Sequence, residues 1–396
     1  MKMLRVLVYD DEESVGKGFV ARLRRLKSVG ARLDVADALT NERFRESLAI
    51  LDERRMAARE GKTLAPTDLD LDDMDVFVVD YDLMKALDSG SGIVGERIAY
   101  LARCYSKCGL IVGVNQFGAN AFDLTLRGHP ESYADLNVGG DELANPNLWG
   151  GRKAGLHAWH WPHLPEFAVS FEKRVANARR AMDEPILSTL GFPQEAVAAL
   201  TRRATQFLVG SLEKEVTQVT FREFADTSGN CLHSKDRTLG DDLLARVAAA
   251  RVTKWLERLV LPGQDVLVDA PHLVSRFPSL LTRSKSVSDW RTVAAKDRIV
   301  GLRKAKIERA RFRRNHWLSR PAWFWPLLCS DESIAEVRDP WNSERPDWVF
   351  CEDTSTFRAR SQCREFVIDS DSVHSRRFAQ GDLQGVAYRP MVRFAL

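Results

Sequence analysis

Short apolar runs alternate with segments of helical periodicity along the first 140 residues. Apolar runs that end in polar residues predict buried strands in "LRVLVYDDE", "ARLDVADA", "DVFVVD" and "CGLIVGVNQFG". Apolar residues at helical spacing predict helices in "SVGKGFVARLRRLKSVG", "NERFRESLAILDERRMAAREG" and "GIVGERIAYLARCYSK". This β-α-β-α-β-α-β order with short connections predicts parallel strands covered by helices on both faces, an α/β doubly wound parallel sheet.

The pattern changes twice after this region. The stretch from about 130 to 165 is rich in Gly, Pro, Asn, His and Trp, which predicts a linker or packed loop that includes part of a fifth strand. Helical periodicity then returns, with one short strand in "PGQDVLVDAPHLV" and a long basic helix over residues 290–318. The last segment is rich in β-formers. We therefore expect four parts: an α/β domain at 1–140, a linker or packed loop at 141–164, a mainly helical region at 165–330 and a small β-rich α+β region at 331–396.

Composition narrows the class of protein. A chain of 396 residues with 44% hydrophobic content can bury a large core in two or three domains. The 58 Lys and Arg residues nearly balance the 55 Asp and Glu residues, so the net charge of +3 neither favours nor excludes nucleic acid. The six cysteines form no C-x-x-C pair and no secretory signal precedes them, which predicts reduced thiols in the cytoplasm. No apolar run approaches the roughly 20 residues that span a bilayer, which predicts no membrane association.

Acidic residues follow two of the predicted strands. Asp10 and Asp11 come after the first strand, and Asp80 ends the third. In a doubly wound sheet these strands are neighbours at the topological switch point, where such folds bind their ligands. Three converging carboxylates repel one another unless a divalent cation lies between them, and Mg²⁺ prefers carboxylate and carbonyl oxygens together with water. The sequence therefore predicts a Mg²⁺ site at this edge.

The acidic pair after "RVLVY" and the aspartate after "VFVV" resemble the receiver domains of two-component response regulators, over residues 3–140. The resemblance implies that Asp80 is the phosphoacceptor, supplied by a histidine kinase or a phosphotransfer protein. It also implies that Asp10, Asp11, Asp80 and the backbone carbonyl of Asp82 hold Mg²⁺. The expected function is then a cytoplasmic response regulator or phosphorelay component.

Two positions depart from the receiver pattern. Where receivers carry Ser or Thr after the fourth strand, this chain has Asn115, a possible phosphate contact. Where receivers carry Lys after the fifth strand, the nearest counterpart is Arg127. Both an active receiver and a pseudo-receiver that does not turn over phosphate stay open. Residues 150–396 resemble no known output domain, so we expect an output of another kind, a signal passed to a downstream protein partner, or a role as a phosphate sink.

A basic segment at residues 298–320 offers an alternative function. It carries nine Lys or Arg residues and one acid, Glu308, with tryptophans close by. A nucleic-acid-binding effector with a non-phosphorylated pseudo-receiver would use basic side chains for phosphate contacts. The candidates are Arg303, Lys304, Lys306, Arg309, Arg313 and Arg314. No helix-turn-helix, winged-helix or zinc motif accompanies these residues.

The sequence also contains no P-loop, G-x-S-x-G or H-E-x-x-H motif. We therefore expect no enzyme activity beyond the self-phosphorylation and dephosphorylation of a receiver.

Overall fold

The structure, a computed structural model, describes most of the chain. The described residues are 3–60, 62, 68–83, 93–114, 122–123, 131–150, 163–227, 240–283, 287–294, 302, 307–332, 347–352, 354–367, 376–380 and 386–387. Of the predicted site residues, Asn115, Arg127, Arg303, Lys304 and Lys306 lie outside them.

The N-terminal region contains the expected parallel sheet. Its strands are β1 (Leu4–Tyr9), β2 (Leu33–Val35), β3 (Val76–Asp80), β4 (Leu110–Val114) and β5 (Leu136–Val138). Its main helices are α1 (Glu13–Arg25), α2 (Asn41–Glu60) and α3 (Gly95–Tyr105), and one turn of helix follows the sheet at Gly140–Leu143. Two-residue strands pair Asp82–Leu83 with Ile93–Val94, and Phe122–Asp123 with Val386–Ala387.

All five strands of this sheet are parallel, in the order β2-β1-β3-β4-β5. The order reverses direction between β1 and β3, so these two strands form the switch point of a doubly wound sheet. Tyr9 lies opposite Val79 in the register, which places the next residues, Asp10 and Asp80, side by side at the carboxyl edge. The fold class predicted from the sequence is therefore confirmed.

The middle of the chain is helical, as predicted. The helices are α4 (Leu164–Arg180), α5 (Ile186–Leu190), α6 (Gln194–Ala198), α7 (Arg202–Val209), α8 (Phe221–Asp226), α9 (Asp241–Trp255), α10 (Ala270–Arg276), α11 (Val287–Ala294) and α12 (Trp325–Ser330). Helix α9 packs on α4 and on α3 of the sheet region. One hydrophobic cluster extends from the strands into these helices, and the predicted domain boundary at residue 140 stays a prediction.

A small mixed sheet closes the described chain. Its strands are β8 (Trp348–Cys351), β9 (Thr356–Ala359), β10 (Cys363–Val367) and β11 (Arg376–Gln380), in the order β9-β8-β11-β10. Before it, β6 (Leu267–Asp269) and β7 (Ala322–Phe324) form an antiparallel pair. A second hydrophobic cluster, which includes Trp290 and Phe350, joins α10 and α11 to this sheet.

Buried charges also join the small sheet to the middle region. The His272 ring lies between two carboxylates, with Nδ1 at 2.5 Å from Asp269 and Nε2 at 3.0 Å from Glu352. Arg320 donates to Asp269 at 2.7 Å, and Arg377 lies 3.4 Å from Glu352. Each carboxylate thus faces cationic groups, which is the arrangement that makes buried charges tolerable.

The continuous basic helix predicted over residues 290–318 is wrong in its described part. Helix α11 ends at Ala294, and beyond it residues 308–310 and 315–317 form separate 3-10 turns. Between the turns the backbone runs beside β7, where the Phe312 N–H donates to the Ala322 carbonyl. Ile307, Phe312 and Trp317, which are spaced five residues apart, are all buried. In a continuous helix this spacing would place them on different faces, so their common burial depends on the irregular backbone. Among the described helices, none is both long enough and apolar enough to cross a bilayer.

Candidate metal site

The carboxyl edge of the sheet brings the three predicted aspartates together. Asp10, Asp11 and Asp80 are all buried, and one carboxylate oxygen of each lies within 4.8 Å of the other two. Within the described part of the chain, this is the one group of three or more His, Cys, Asp or Glu side chains close enough to hold a metal ion. Hard oxygen ligands at this spacing can hold a divalent cation.

The surroundings of the group disfavour the ionised form of Asp10. The pKa of Asp10 rises from its ordinary value of 3.8 to about 7, first because of burial and then because of the neighbouring Asp80 carboxylate. A hydrogen bond from the Glu12 backbone N–H to Asp10 Oδ1, at 2.9 Å, opposes that shift only in part. Without a cation, ionising all three carboxylates therefore costs free energy.

Backbone groups orient the carboxylates. The Asp82 N–H donates to Asp80 Oδ2 at 3.1 Å. Helix α1 begins two residues after Asp11, and α2 begins at Asn41, whose amide reaches the Asp11 carbonyl. The N-termini of two helices thus lie at this edge, where their positive ends favour anionic groups.

Asn41 and Tyr9 support the site, and sequence reasoning missed both. Asn41 Nδ2 donates to the Asp11 carbonyl at 3.2 Å, and its Oδ1 accepts from the Tyr9 hydroxyl at 3.1 Å. The Tyr9 ring stacks on Phe44 at 3.5 Å, and burial raises the pKa of the hydroxyl well above its usual range, so it remains a donor. Thirty residues separate Asn41 from Asp11, and only the packing of α2 beside β1 joins them. The one local feature of the sequence that points to Asn41 is its place as a polar residue at the start of an amphipathic helix.

Gly95 was also missed by sequence reasoning. A Cβ atom at this position would lie 2.2 Å from the Asp80 carbonyl oxygen and 2.9 Å from the Tyr81 Cα. The Gly95 N–H donates to the Tyr81 carbonyl at 2.7 Å. The start of α3 therefore lies directly against the backbone that carries Asp80, an approach that only glycine permits.

The other predicted site residues that the structure describes are Asp82 and three arginines of the basic segment. Asp82 lies beside Asp80 and pairs with Val94, but no contact tests its carbonyl as a metal ligand. In the basic segment, Arg309 pairs with Asp331 at 2.9 Å, Arg313 lies 3.7 Å from Glu308, and Arg314 donates to the Thr189 carbonyl at 3.1 Å. These three arginines thus have partners within the chain. Nucleic-acid binding stays a prediction.

Comparisons with protein-family models, with curated proteins and with solved structures each found no match to this chain. The strand order and the buried group of Asp10, Asp11 and Asp80 are consistent with a receiver-like fold. The likeness thus rests on the topology of the sheet and on the chemistry at its carboxyl edge.

Proposed function

We propose that this chain is a two-component-type signalling protein in which Asp80 accepts a phosphoryl group from a histidine kinase or a phosphotransfer protein. The observation that carries the proposal is the convergence of three buried carboxylates at the switch point of a parallel sheet. A structural role alone gives no reason to bury three mutually repelling acids beside one another, since that arrangement costs stability.

Magnesium is the proposed resident cation. The donor set fits it, because three buried carboxylates lie together and supply the hard oxygen ligands that Mg²⁺ prefers. Repulsion from Asp80 contributes to the raised pKa of Asp10, and a bound cation would relieve it. Asp10, Asp11 and Asp80 would hold the ion, with the Asp82 carbonyl as a further ligand. When bound, the cation would neutralise charge on the incoming phosphoryl group.

Asp80 is the proposed nucleophile because it ends the central strand β3 and its carboxylate is already oriented. The Asp82 N–H fixes Oδ2, and attack by a carboxylate oxygen on phosphorus would give an acyl phosphate. Burial of the site, with Asp80 only 7% exposed, limits access of water to that intermediate.

A route for the signal leads from Asp80 toward the helical middle region. Gly95 touches the backbone of Asp80, and the next residue, Glu96, accepts hydrogen bonds from the Ser132 hydroxyl and the Tyr133 N–H. Arg251 of α9 donates to the Glu131 and Ser132 carbonyls at 3.0 and 3.1 Å and lies over the Tyr133 ring. We propose that phosphorylation shifts α3 and changes how α9 docks on residues 131–135.

Phosphorylation from a small phosphodonor tests the proposal. The full-length protein is incubated with Mg²⁺ and acetyl phosphate, and the intact mass is measured. The wild type is expected to gain about 80 Da, one phosphoryl group, and to lose it in hydroxylamine, which cleaves acyl phosphates. Asp80→Asn is expected to gain nothing.

Asp82→Asn is the matched control, because it alters a neighbouring carboxylate while retaining the backbone carbonyl. It is expected to gain the phosphoryl group as the wild type does. Absence of labelling in the wild type, or equal labelling of wild type and Asp80→Asn, would contradict phosphoryl transfer to Asp80.

A further inference from the structure

Two thiols meet in the small C-terminal sheet. The sulfur atoms of Cys351, at the end of β8, and Cys363, at the start of β10, lie 3.2 Å apart. Both are reduced, as are the other described cysteines, Cys104, Cys108 and Cys329. Spacing in the sequence gives no indication of this pair, because eleven residues separate its members and they lie on different strands.

The pairing of the strands explains why the sulfurs meet. Cys351 lies opposite Phe378 and Cys363 opposite Gln380, two positions on β11 that face the same side of the sheet. Cys363 Sγ also reaches the Ala359 carbonyl at 3.3 Å, at the end of the opposite edge strand β9. Only the turn Arg360–Gln362 connects β9 to β10, so the end of one edge strand and the start of the other lie close together.

The two cysteine residues differ in their exposure to solvent. Cys351 is 0% exposed, whereas Cys363 is only partly buried. An oxidant from solution therefore reaches Cys363 first, and Cys351 is placed to react with it next. This division into an accessible and a resolving thiol is the one that thiol–disulfide exchange needs.

We propose that Cys351 and Cys363 form a dithiol site that reacts with low-molecular-weight disulfides. The Cys363 thiolate attacks one sulfur of the small disulfide; a mixed disulfide forms and one small thiol leaves with the proton. The Cys351 thiolate then attacks Cys363 Sγ, so the protein disulfide forms and the second small thiol leaves. The protein dithiol is oxidised, and one small disulfide is reduced to two thiols.

The geometry favours the second step. A disulfide bond is about 2.05 Å long, so the sulfurs need to approach by only about 1.1 Å from their present contact. The bond would join β8 to β10 across β11, one residue before Glu352. Because Glu352 contacts His272 and Arg377, oxidation would fix the strand that connects the small sheet to the buried charges of the middle region.

Oxidation of the full-length protein with glutathione disulfide tests the site. The wild type is expected to lose the mass of two hydrogens and to yield a linked peptide that contains Cys351 and Cys363, and dithiothreitol is expected to reverse both changes. Cys351→Ser is expected instead to accumulate one glutathionyl group on Cys363. Cys351→Ala is the second variant and is expected to give the same result. It removes the thiol without introducing the buried serine hydroxyl, which could disturb folding.

Cys329 is the exposure-matched control, because it is also partly buried and lies in a different part of the fold. It is expected to form at most a mixed disulfide. The proposal is overturned if the wild type keeps glutathione on Cys363 without a linked peptide, if Cys329 reacts while Cys363 does not, or if the purified protein retains zinc on the two thiols.

Discussion

At the residue scale, the state of the acidic group depends on Asp10. Its folded-state pKa of about 7 lies above the unfolded value of 3.8. A raised pKa means that the folded form binds the proton more tightly, so this stabilisation is complete below pH 3.8 and is lost as the pH rises through about 7. The metal-free protein is therefore expected to lose up to about 4 kcal/mol between these limits from this group alone.

Thermal unfolding in chelator across this range, with and without Asp10→Asn, measures that effect. The variant is expected to raise the Tm of the metal-free protein at pH 8 and to remove the stabilisation by Mg²⁺, since it removes both the buried charge and a ligand. Asp34→Asn changes an exposed carboxylate on β2 and is the control. Identical pH profiles for wild type and Asp10→Asn would contradict the assignment of the titration to Asp10.

Asn41 is expected to act as a positioning residue. Removing its hydrogen bonds to the Asp11 carbonyl and the Tyr9 hydroxyl leaves the loop of the proposed metal site less fixed, and loss of such outer partners typically weakens metal affinity about 10-fold or more. Calorimetric titration of Asn41→Ala with Mg²⁺ measures the loss. Tyr9→Phe keeps the stack on Phe44 and is expected to show a smaller effect; wild-type affinity in Asn41→Ala would rule out the positioning role.

At the element scale, the contact between α3 and β3 determines the shape of the site. Gly95→Ala places a Cβ atom 2.2 Å from the Asp80 carbonyl oxygen, and relief of this overlap moves either the helix or the strand end. We expect a loss of about 1–3 kcal/mol in unfolding free energy, together with weaker Mg²⁺ binding. Denaturant unfolding and metal titration give the two values.

Gly18 of α1, an exposed helical glycine, offers a control. A Cβ atom there meets nothing within 4 Å, so Gly18→Ala is expected to stabilise the protein by up to about 1 kcal/mol through helix propensity. If both alanine variants behave alike, the close approach of Gly95 to Asp80 does not constrain the site.

The sequence predicted these elements unequally, for physical reasons. Strands β3 and β4 are buried at every position, and β1 at every position except Arg5, so each forms a largely apolar run that a sequence displays directly. Strand β5 has three residues, and its placement depends on contacts such as the 2.5 Å ion pair between Asp135 and Arg103. The acidic group was predictable because each aspartate lies at the end of a strand or within two residues after it. Asn41 and Gly95 were not, because their roles arise from packing between distant segments.

At the scale of the whole molecule, α9 connects the sheet region to the helical middle. Arg251 is buried, and its guanidinium satisfies the carbonyls of Glu131 and Ser132 while lying over the Tyr133 and Phe207 rings. Arg251→Met retains much of the apolar contact but leaves these carbonyls without that donor. The expected cost is about 1–3 kcal/mol of unfolding free energy.

Hydrogen exchange of α9 measures the proposed coupling in the same variant. Phosphodonor and Mg²⁺ are expected to change exchange in α9 of the wild type, and Arg251→Met is expected to lose this response while Asp80 still becomes labelled. Arg179→Met is the control, because its ion pair with Asp242 also joins α4 to α9 but lies at the surface and contributes under about 1 kcal/mol. An unaltered response in Arg251→Met would place the coupling elsewhere.

The most direct measurement is the position of the acyl phosphate along the chain. Borohydride reduces an aspartyl phosphate to homoserine, and peptide mass spectrometry then locates the converted residue. After treatment with acetyl phosphate and Mg²⁺, we predict homoserine at position 80, and none when the cation is removed by chelator. Conversion at another aspartate, or no conversion in the presence of Mg²⁺, would contradict the assignment of Asp80 as the phosphoacceptor.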